Sequence, residues 1–296
     1  MFVLLTTICV VLIVLVLAFV IMTKPARKRD TSYFAGKMYA HRGLHGDGVP
    51  ENSITAFKLA HENGYGAELD VQMTSDGQLV VFHDGNLNRM CGVDKKLKDC
   101  TYEELCTYRL KETDEKIPLL SEALEALGGV DLVCEIKADN GAKNYTLCKK
   151  TYDLLKDYKG RFCVESFSPF LMRWFMKKHP EIIRGQLSEN FIKTFGLNPV
   201  HFCMAELLHD IISKPDFISY NHKHKTLGWH IVKLLYRPLW FAWTARGDEE
   251  IESAKKDYDS IIFEKYARTD DPPEIDNIED DVIESEALDK DMLDKE

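Results

Sequence analysis

Residues 66–84, GAELDVQMTSDGQLVVFHD, decide how the rest of the chain is read. Two runs of strand-forming residues, Gly66 onward and Leu79–Phe82, flank Thr74-Ser75-Asp76-Gly77. A turn that short cannot carry a parallel crossover, so the two runs form a hairpin and the return run cannot belong to a parallel sheet. Further strand candidates are Met38–Ala40, Asp131–Ile136, Arg161–Ser166, Ile183–Leu187, Phe217–Tyr220, Trp240–Thr244 and Ser260–Phe263. Setting the return run aside leaves eight strands. Helical patterns fill most intervals, at Ser53–Asn63, Thr101–Tyr108, Leu119–Leu127, Asn144–Lys156, Pro169–Lys178, Met204–Leu208 and Glu249–Lys256. Alternating strands and helices indicate a parallel α/β protein, and eight such strands fit a (β/α)8 barrel whose chemistry gathers at the C-terminal rim. A doubly wound sheet is the structural competitor, but no GxGxxG follows the first strand.

Chemistry-bearing residues stand at those strand ends. Glu68 and Asp70 are two apart on a strand and project to one side, and Glu135 and Lys137 repeat the spacing. Carboxylates placed so close need a compensating cation. Three hard oxygen donors without a thiolate favour Ca²⁺ or Mg²⁺. His41 beside Arg42, and His83 beside Asp84, add imidazoles next to charged partners. Two imidazoles can remove and supply protons while cations stabilise charge on phosphoryl oxygens. The set therefore suits metal-assisted attack on an anionic phosphodiester. The remaining histidines lack such company, although His222 and His224 follow a strand and are candidates for the substrate rim.

With these residues in order, the sequence closely resembles the glycerophosphodiester phosphodiesterase family. The resemblance rests on HRG at 41–43, PENS with AF at 50–57, ELDVQMTSDGQLVVFHD at 68–84 and EIK at 135–137, with SF at 166–167 and WT at 243–244. It runs from about Met38 to about Lys265. It implies a distorted TIM barrel with a small hairpin insertion and one divalent cation, Ca²⁺ or Mg²⁺, on Glu68, Asp70 and Glu135. It further implies His41 and His83 as the acid/base pair, with Arg42, Lys137 and Trp243 contacting phosphate or substrate. The reaction implied releases an alcohol and glycerol 3-phosphate, with the neighbouring glycerol hydroxyl attacking phosphorus to give a cyclic phosphate that water opens. One departure stands out: where relatives often end the last strand in Thr-Asp-x-Pro, this chain has Ile262-Phe263-Glu264-Lys265.

The ends carry separate signals. Phe2–Met22 is apolar, uncharged and long enough to span a bilayer, and Lys24, Arg27, Lys28 and Arg29 follow it. Charge after the run rather than before it indicates an uncleaved anchor over a cleaved signal, and places the catalytic part in the cytoplasm. The seven cysteines beyond the anchor are odd in number and form no CxxC pair, which fits a reducing compartment. Residues 270–296 hold 13 Asp/Glu against 2 Lys, so the rest of a chain of net charge −10 is close to neutral. The tail reads as a disordered solubilising extension, with docking to a basic protein the alternative. The expected organisation is thus an anchor at 1–23, a basic linker at 24–36, a barrel at 37–268 and an acidic tail at 269–296. An apolar segment, Gly228–Trp240, is expected as a helix near the rim, packed in the core or facing lipid.

The partners expected are a small-molecule or lysolipid phosphodiester and the membrane, with no nucleic acid. Three functions compete. The first is a glycerophosphodiester phosphodiesterase. The second is a lysophospholipase D or a hydrolase of lipid or teichoic-type headgroups, which would use the same residues. The third is a catalytically silent membrane scaffold, which would bind no cation at the rim.

Overall fold

The computed structural model describes residues 2–26, 29–46, 48–137 and 144–264. The acidic tail expected at 269–296 lies outside them. The strands are β1 (Met38–Ala40), β2 (Gly66–Met73), β3 (Leu79–Val81), β4 (Leu132–Ile136), β5 (Phe162–Ser166), β6 (Arg184–Ser188), β7 (Phe217–Asn221), β8 (Leu239–Arg246) and β9 (Ser260–Glu264). β3 pairs antiparallel with β2, as the short turn requires. The other eight are parallel, and β1 pairs with both β2 and β9, which closes the barrel.

Strand alternation sorts the interior into layers. Tyr39, Val133, Cys163, Phe217, Leu239, Phe241 and Ile262 fill the lower barrel, and Phe34 joins them from beneath. The Phe241 ring stacks on Phe217 at 4.5 Å and on Tyr39 at 5.5 Å. Gly66 and Gly185 make room for this layer: a Cβ at either position would lie 2.6 Å from the Tyr39 ring or 2.2 Å from the Phe217 ring. Two residues further along their strands, the same inward register reaches Glu68, Glu135, Glu165, Trp243 and Glu264. Apolar contact closes the lower half, and the period of two delivers polar groups to the upper half.

The surrounding helices start where local chemistry favours them. Ser53, Asn144 and Thr226 cap helices Ile54–Glu62, Tyr145–Leu155 and Leu227–Tyr236 through their side chains, and Pro169 opens Pro169–Lys178. The helix expected at Met204–Leu208 is displaced. Asn198 caps, and Pro199 begins, a helix at Pro199–Ala205, and the chain turns at Leu207 with φ +62°. The stretch expected as helix at Thr101–Tyr108 makes one turn, Tyr102–Leu105. The insertion after the hairpin is larger than a turn and a strand. Val80, Phe82, Leu87, Met90, Leu97, Cys100, Leu105, Leu110 and Ile117 form a hydrophobic cluster of their own.

At the other end of the barrel, Phe2–Met22 is a continuous 21-residue helix with no buried residue, long and apolar enough to cross a membrane once. All eight cysteines are unbonded thiols.

Candidate active site

The rim is assembled by four consecutive devices. β1 ends at Ala40, and the chain turns sharply through Arg42, at φ +55°. That left-handed turn aims the Arg42 backbone N–H at Glu68 Oε2, 3.0 Å away. Gly43 then passes so near the Ile54–Glu62 helix that a Cβ would sit 2.8 Å from Ala56 Cβ. Asn52, also left-handed at φ +53°, donates its backbone N–H to Arg42 O and its side-chain amide to Asp70 Oδ2, each at 2.8 Å. Backbone strain at two positions of the single loop between β1 and the helix Ile54–Glu62 thus orients two carboxylates. The hairpin is fixed from the side by Gln72, whose amide donates to the carbonyls of Phe82, His83 and Asp84 at 2.8, 2.9 and 2.8 Å. That clamp sets the position of His83.

Glu68, Asp70 and Glu135 are all buried, and each offers a carboxylate oxygen within 4.8 Å of the others. Lys137 Nζ lies 3.3 Å from Asp70 Oδ1 and 3.2 Å from Glu135 Oε1. Arg42 Nε stands 3.5 Å from Asp70 Oδ2, while its Nη1 donates to Glu51 Oε1 at 2.7 Å. Burial, and then the charges of Asp70 and Glu135, push Glu68 well above the ordinary carboxylate range. Burial also raises Glu135, with Lys137 opposing and Asp70 assisting. Asp70 goes the other way: burial works against its charge, but Lys137, His83 and Arg42 outweigh burial and hold it below its ordinary value. Three crowded carboxylates, two of them resisting ionisation, form a donor set that a divalent cation would neutralise and order. The residues present fit such an ion.

Two histidines flank this trio in matching arrangements. His41 Nδ1 meets Glu264 Oε1 at 2.6 Å, and Arg246 Nε donates to Glu264 Oε2 at 2.8 Å. His83 Nδ1 meets Asp84 Oδ1 at 2.7 Å, and Arg89 Nε donates to Asp84 Oδ2 at 2.7 Å. Each ring is therefore held through Nδ1 by a carboxylate that an arginine grips from behind, which directs proton transfer to Nε2. Burial, followed by the Arg42 charge, brings His41 down to about 4, although its bond to Glu264 pulls upward. Burial works against the Glu264 charge, yet His41 and Arg246 hold it well below the ordinary range. His41, His45 and Glu264 also lie close enough to suggest a second cation site. The hydrogen-bond distance between His41 and Glu264 instead makes this an oriented imidazole.

The structure brings His41, Arg42, Glu68, Asp70, His83, Glu135 and Lys137 to one rim. Trp243 stands across the barrel on β8, edge-to-face with Phe167 at 5.6 Å, in an aromatic wall that Phe167 extends to Phe191. His222 bonds the Thr244 carbonyl and approaches Glu250, and His224 contacts Lys193, so both are engaged outside this cluster. The sequence reading missed Glu165, whose buried carboxylate is pushed well above its ordinary value by burial and then by Glu135. Its signal was the inward register Cys163, Glu165, Phe167. Arg89, Glu51 and Arg246 were also missed; they lie 38 and 18 residues from partners that no local spacing reveals.

Residues 41–263 match the glycerophosphoryl diester phosphodiesterase family. The chain belongs to that family and is an enzyme of its phosphodiesterase type. It is 32% identical to a glycerophosphodiester phosphodiesterase of Caldanaerobacter subterraneus subsp. tengcongensis over 81% of this chain and 96% of that one. Over 49% of each chain it is 35% identical to the Lysophospholipase D GDPD1 of Rattus norvegicus, so it spans about half the length of that relative. Its fold is shared with an Oleispira antarctica phosphodiesterase solved with sn-glycerol-3-phosphate, at a TM-score of 0.65 and 20% identity, covering 87% of this chain and 98% of that one.

Proposed function

We propose that this enzyme hydrolyses glycerophosphodiesters to glycerol 3-phosphate and an alcohol, with Glu68, Asp70 and Glu135 holding one Ca²⁺ or Mg²⁺. The observation that carries the reading is a buried carboxylate trio within 4.8 Å, flanked by two histidines that are each oriented by a carboxylate. The bound cation would supply Lewis acidity toward a phosphoryl oxygen and the glycerol hydroxyl. Arg42 and Lys137 add positive charge for the non-bridging oxygens as charge grows on them. His41, neutral above about pH 4, accepts the proton of the attacking glycerol hydroxyl at Nε2, and His83 protonates the departing alcohol oxygen. Water then opens the cyclic phosphate, giving its proton to His83 while His41 returns one to the glycerol oxygen. Trp243 and Phe167 form an apolar wall for the alcohol or the glycerol carbons. The apolar span and the basic residues after it favour a membrane-anchored enzyme whose barrel faces the cytoplasm.

The test is release of glycerol 3-phosphate from glycerophosphocholine, glycerophosphoethanolamine and glycerophosphoglycerol, with each metal and with EDTA. Metal-dependent release from at least one is expected; none from any of them would overturn the reading. The alternative, cleavage of lysolipids, is favoured by the span and by the likeness to a lysophospholipase D over half of the chain. Faster turnover of lysolipid in detergent than of any soluble diester would establish it.

A further inference from the structure

Among the described residues, the chain leaving the membrane helix is fastened to one end of the barrel. Tyr236 donates its hydroxyl proton to Val20 O near the end of the helix. Lys214 Nζ donates to Lys24 O, and Ala26 N–H donates to Pro215 O, both at 2.9 Å. Arg29 reaches Asp216 Oδ1 at 3.3 Å and the Ile182 carbonyl at 3.4 Å. Ile182, Lys214–Asp216 and Tyr236 all lie just before the first residues of β6, β7 and β8. The membrane helix therefore joins the barrel at the N-terminal ends of its strands. The proposed chemistry stands at their C-terminal ends, about 16 Å away along a five-residue strand.

The surface around this junction is not that of a solvated protein base. Ile211 is exposed there on the one-turn helix Asp210–Ser213, and Leu234 and Leu235 on Leu227–Tyr236, the two helices that meet the span. Lys24 and Arg237 are exposed beside them. Lys214 and Arg237 end those helices in left-handed conformation, at φ +43° and +48°, where glycine is favoured. Cations occupy both strained positions.

We propose that the barrel docks base-down on the bilayer, with Ile211, Leu234 and Leu235 against lipid and Lys24, Lys214 and Arg237 among phosphate headgroups. The catalytic mouth then opens away from the membrane, into water. This inference concerns the orientation of the site proposed above and rests on that reading for its functional meaning. A substrate reaches such a mouth from solution, and a lysolipid must leave the membrane that holds the enzyme before it can enter. The occupant is a lipid surface because the patch is continuous with the foot of a membrane-crossing helix and combines aliphatic side chains with cations.

One helix holds its own control. Leu227 and Leu234 are 69% and 74% exposed, but Leu227 begins the helix on the rim side and Leu234 lies near its other end. Hydroxyl-radical footprinting of the full chain in nanodiscs of phosphatidylcholine and phosphatidylglycerol compares them within one sample. The expected result is modification of Leu227 several-fold above that of Leu234. Equal modification, or protection of Leu227, would overturn the orientation. Turnover of the soluble diester panel by the same nanodiscs separates the two readings. An inactive sample that shows the contrast would defeat the proposed reaction and leave the orientation standing; an active one without it would do the reverse. A Leu234→Glu, Leu235→Glu double variant, altered only on the exposed face, should keep its turnover of the soluble diesters.

Discussion

The two ends of the barrel bury charge in opposite ways. At the base, Arg184 opens β6 with its guanidinium 3.2 Å from Asp216, which also receives Arg29. Opposite charges alternate there, and the Ser213 and Lys214 carbonyls accept further bonds from Arg184. At the rim, Glu68, Asp70, Glu135 and Glu165 crowd together with fewer cations than carboxylates among them. The Arg184–Asp216–Arg29 set pairs its charges within the protein and fixes the chain that follows the apolar N-terminal helix. The nearby Asp210, however, is buried with neither carboxylate oxygen hydrogen-bonded among the described residues, and burial raises it well above its ordinary value. The rim is complete only with an added positive ion, and this incompleteness is what lets it bind one. The matched ion pairs at the base hold structure, whereas the crowded carboxylates beside two oriented histidines mark the candidate site.

The largest break in that comparison is expected at the histidines. His41→Ala and His83→Ala should each fold, bind cation and lose roughly 10²–10⁴-fold in turnover, the usual worth of positioned proton transfer. Steady-state rates over a metal titration read this out, and near-wild-type turnover in either variant would remove it from the proposed role. In the same titration, Glu135→Gln should be partly rescued by added metal. Lys137→Met should not be, because its proposed part is charge stabilisation.

At the base the expected effect is on stability instead. Asp216→Ala leaves the Arg184 guanidinium buried without its carboxylate, which costs on the order of 3 kcal/mol. Denaturant unfolding should show that loss while the folded fraction keeps its turnover. A fall in turnover with unchanged stability would mean the two ends are not separable.

A smaller effect is expected from Glu264→Gln. The neutral amide still fills the space between His41 and Arg246 but no longer supplies the charge that orients the imidazole, so turnover should fall by no more than the roughly 10²–10⁴-fold of losing the imidazole itself. The pH profile carries the sharper sign. Glu264 raises the His41 value, so its neutralisation should move the acid limb, expected near pH 4, to lower pH. A shift to higher pH would show that His41 is not the group seen in that limb.

Much of this contrast was legible in the sequence, for a physical reason. A period of two and a four-residue turn fix the faces of β2 and β3 locally, so Glu68, Asp70 and the hairpin could be placed without the fold. The strand ends at His41, Glu135 and Lys137 followed from the same alternation. What stayed hidden depends on closure. Arg246 reaches Glu264 across neighbouring strands, and Arg89 reaches Glu51 from within the insertion. The insertion's separate core was hidden because Val80 and Phe82 alternate with Val81 to face a second cluster, a fate that the hairpin pattern alone cannot distinguish from solvent. The apolar segment Gly228–Trp240 suggests a helix near the rim, but the helix is Leu227–Tyr236 and Leu239–Trp240 already belong to β8. That helix starts on the rim side and runs down to the base, where Tyr236 meets the membrane helix.

The subtlest test of incompleteness at the rim is Glu165→Gln. Glu165 is buried, one of its oxygens has no hydrogen-bond partner, and burial and Glu135 raise it well above its ordinary value of 4.5. A carboxyl raised on folding holds a proton in the native state that the unfolded chain has released. Its contribution to stability is therefore present below about pH 4.5 and is lost as pH rises from there through the raised native value. The amide has no charge to bury. In metal-free protein, Glu165→Gln should melt with wild type near pH 4 and above it at neutral pH, by about 2–4 °C for each kcal/mol relieved. Adding a divalent cation should narrow the neutral-pH gap, since positive charge beside Glu135 also favours ionised Glu165. Scanning calorimetry at both pH values, with and without metal, measures all four terms. A variant that melts below wild type at neutral pH would mean Glu165 is already compensated, and the rim would then resemble the base.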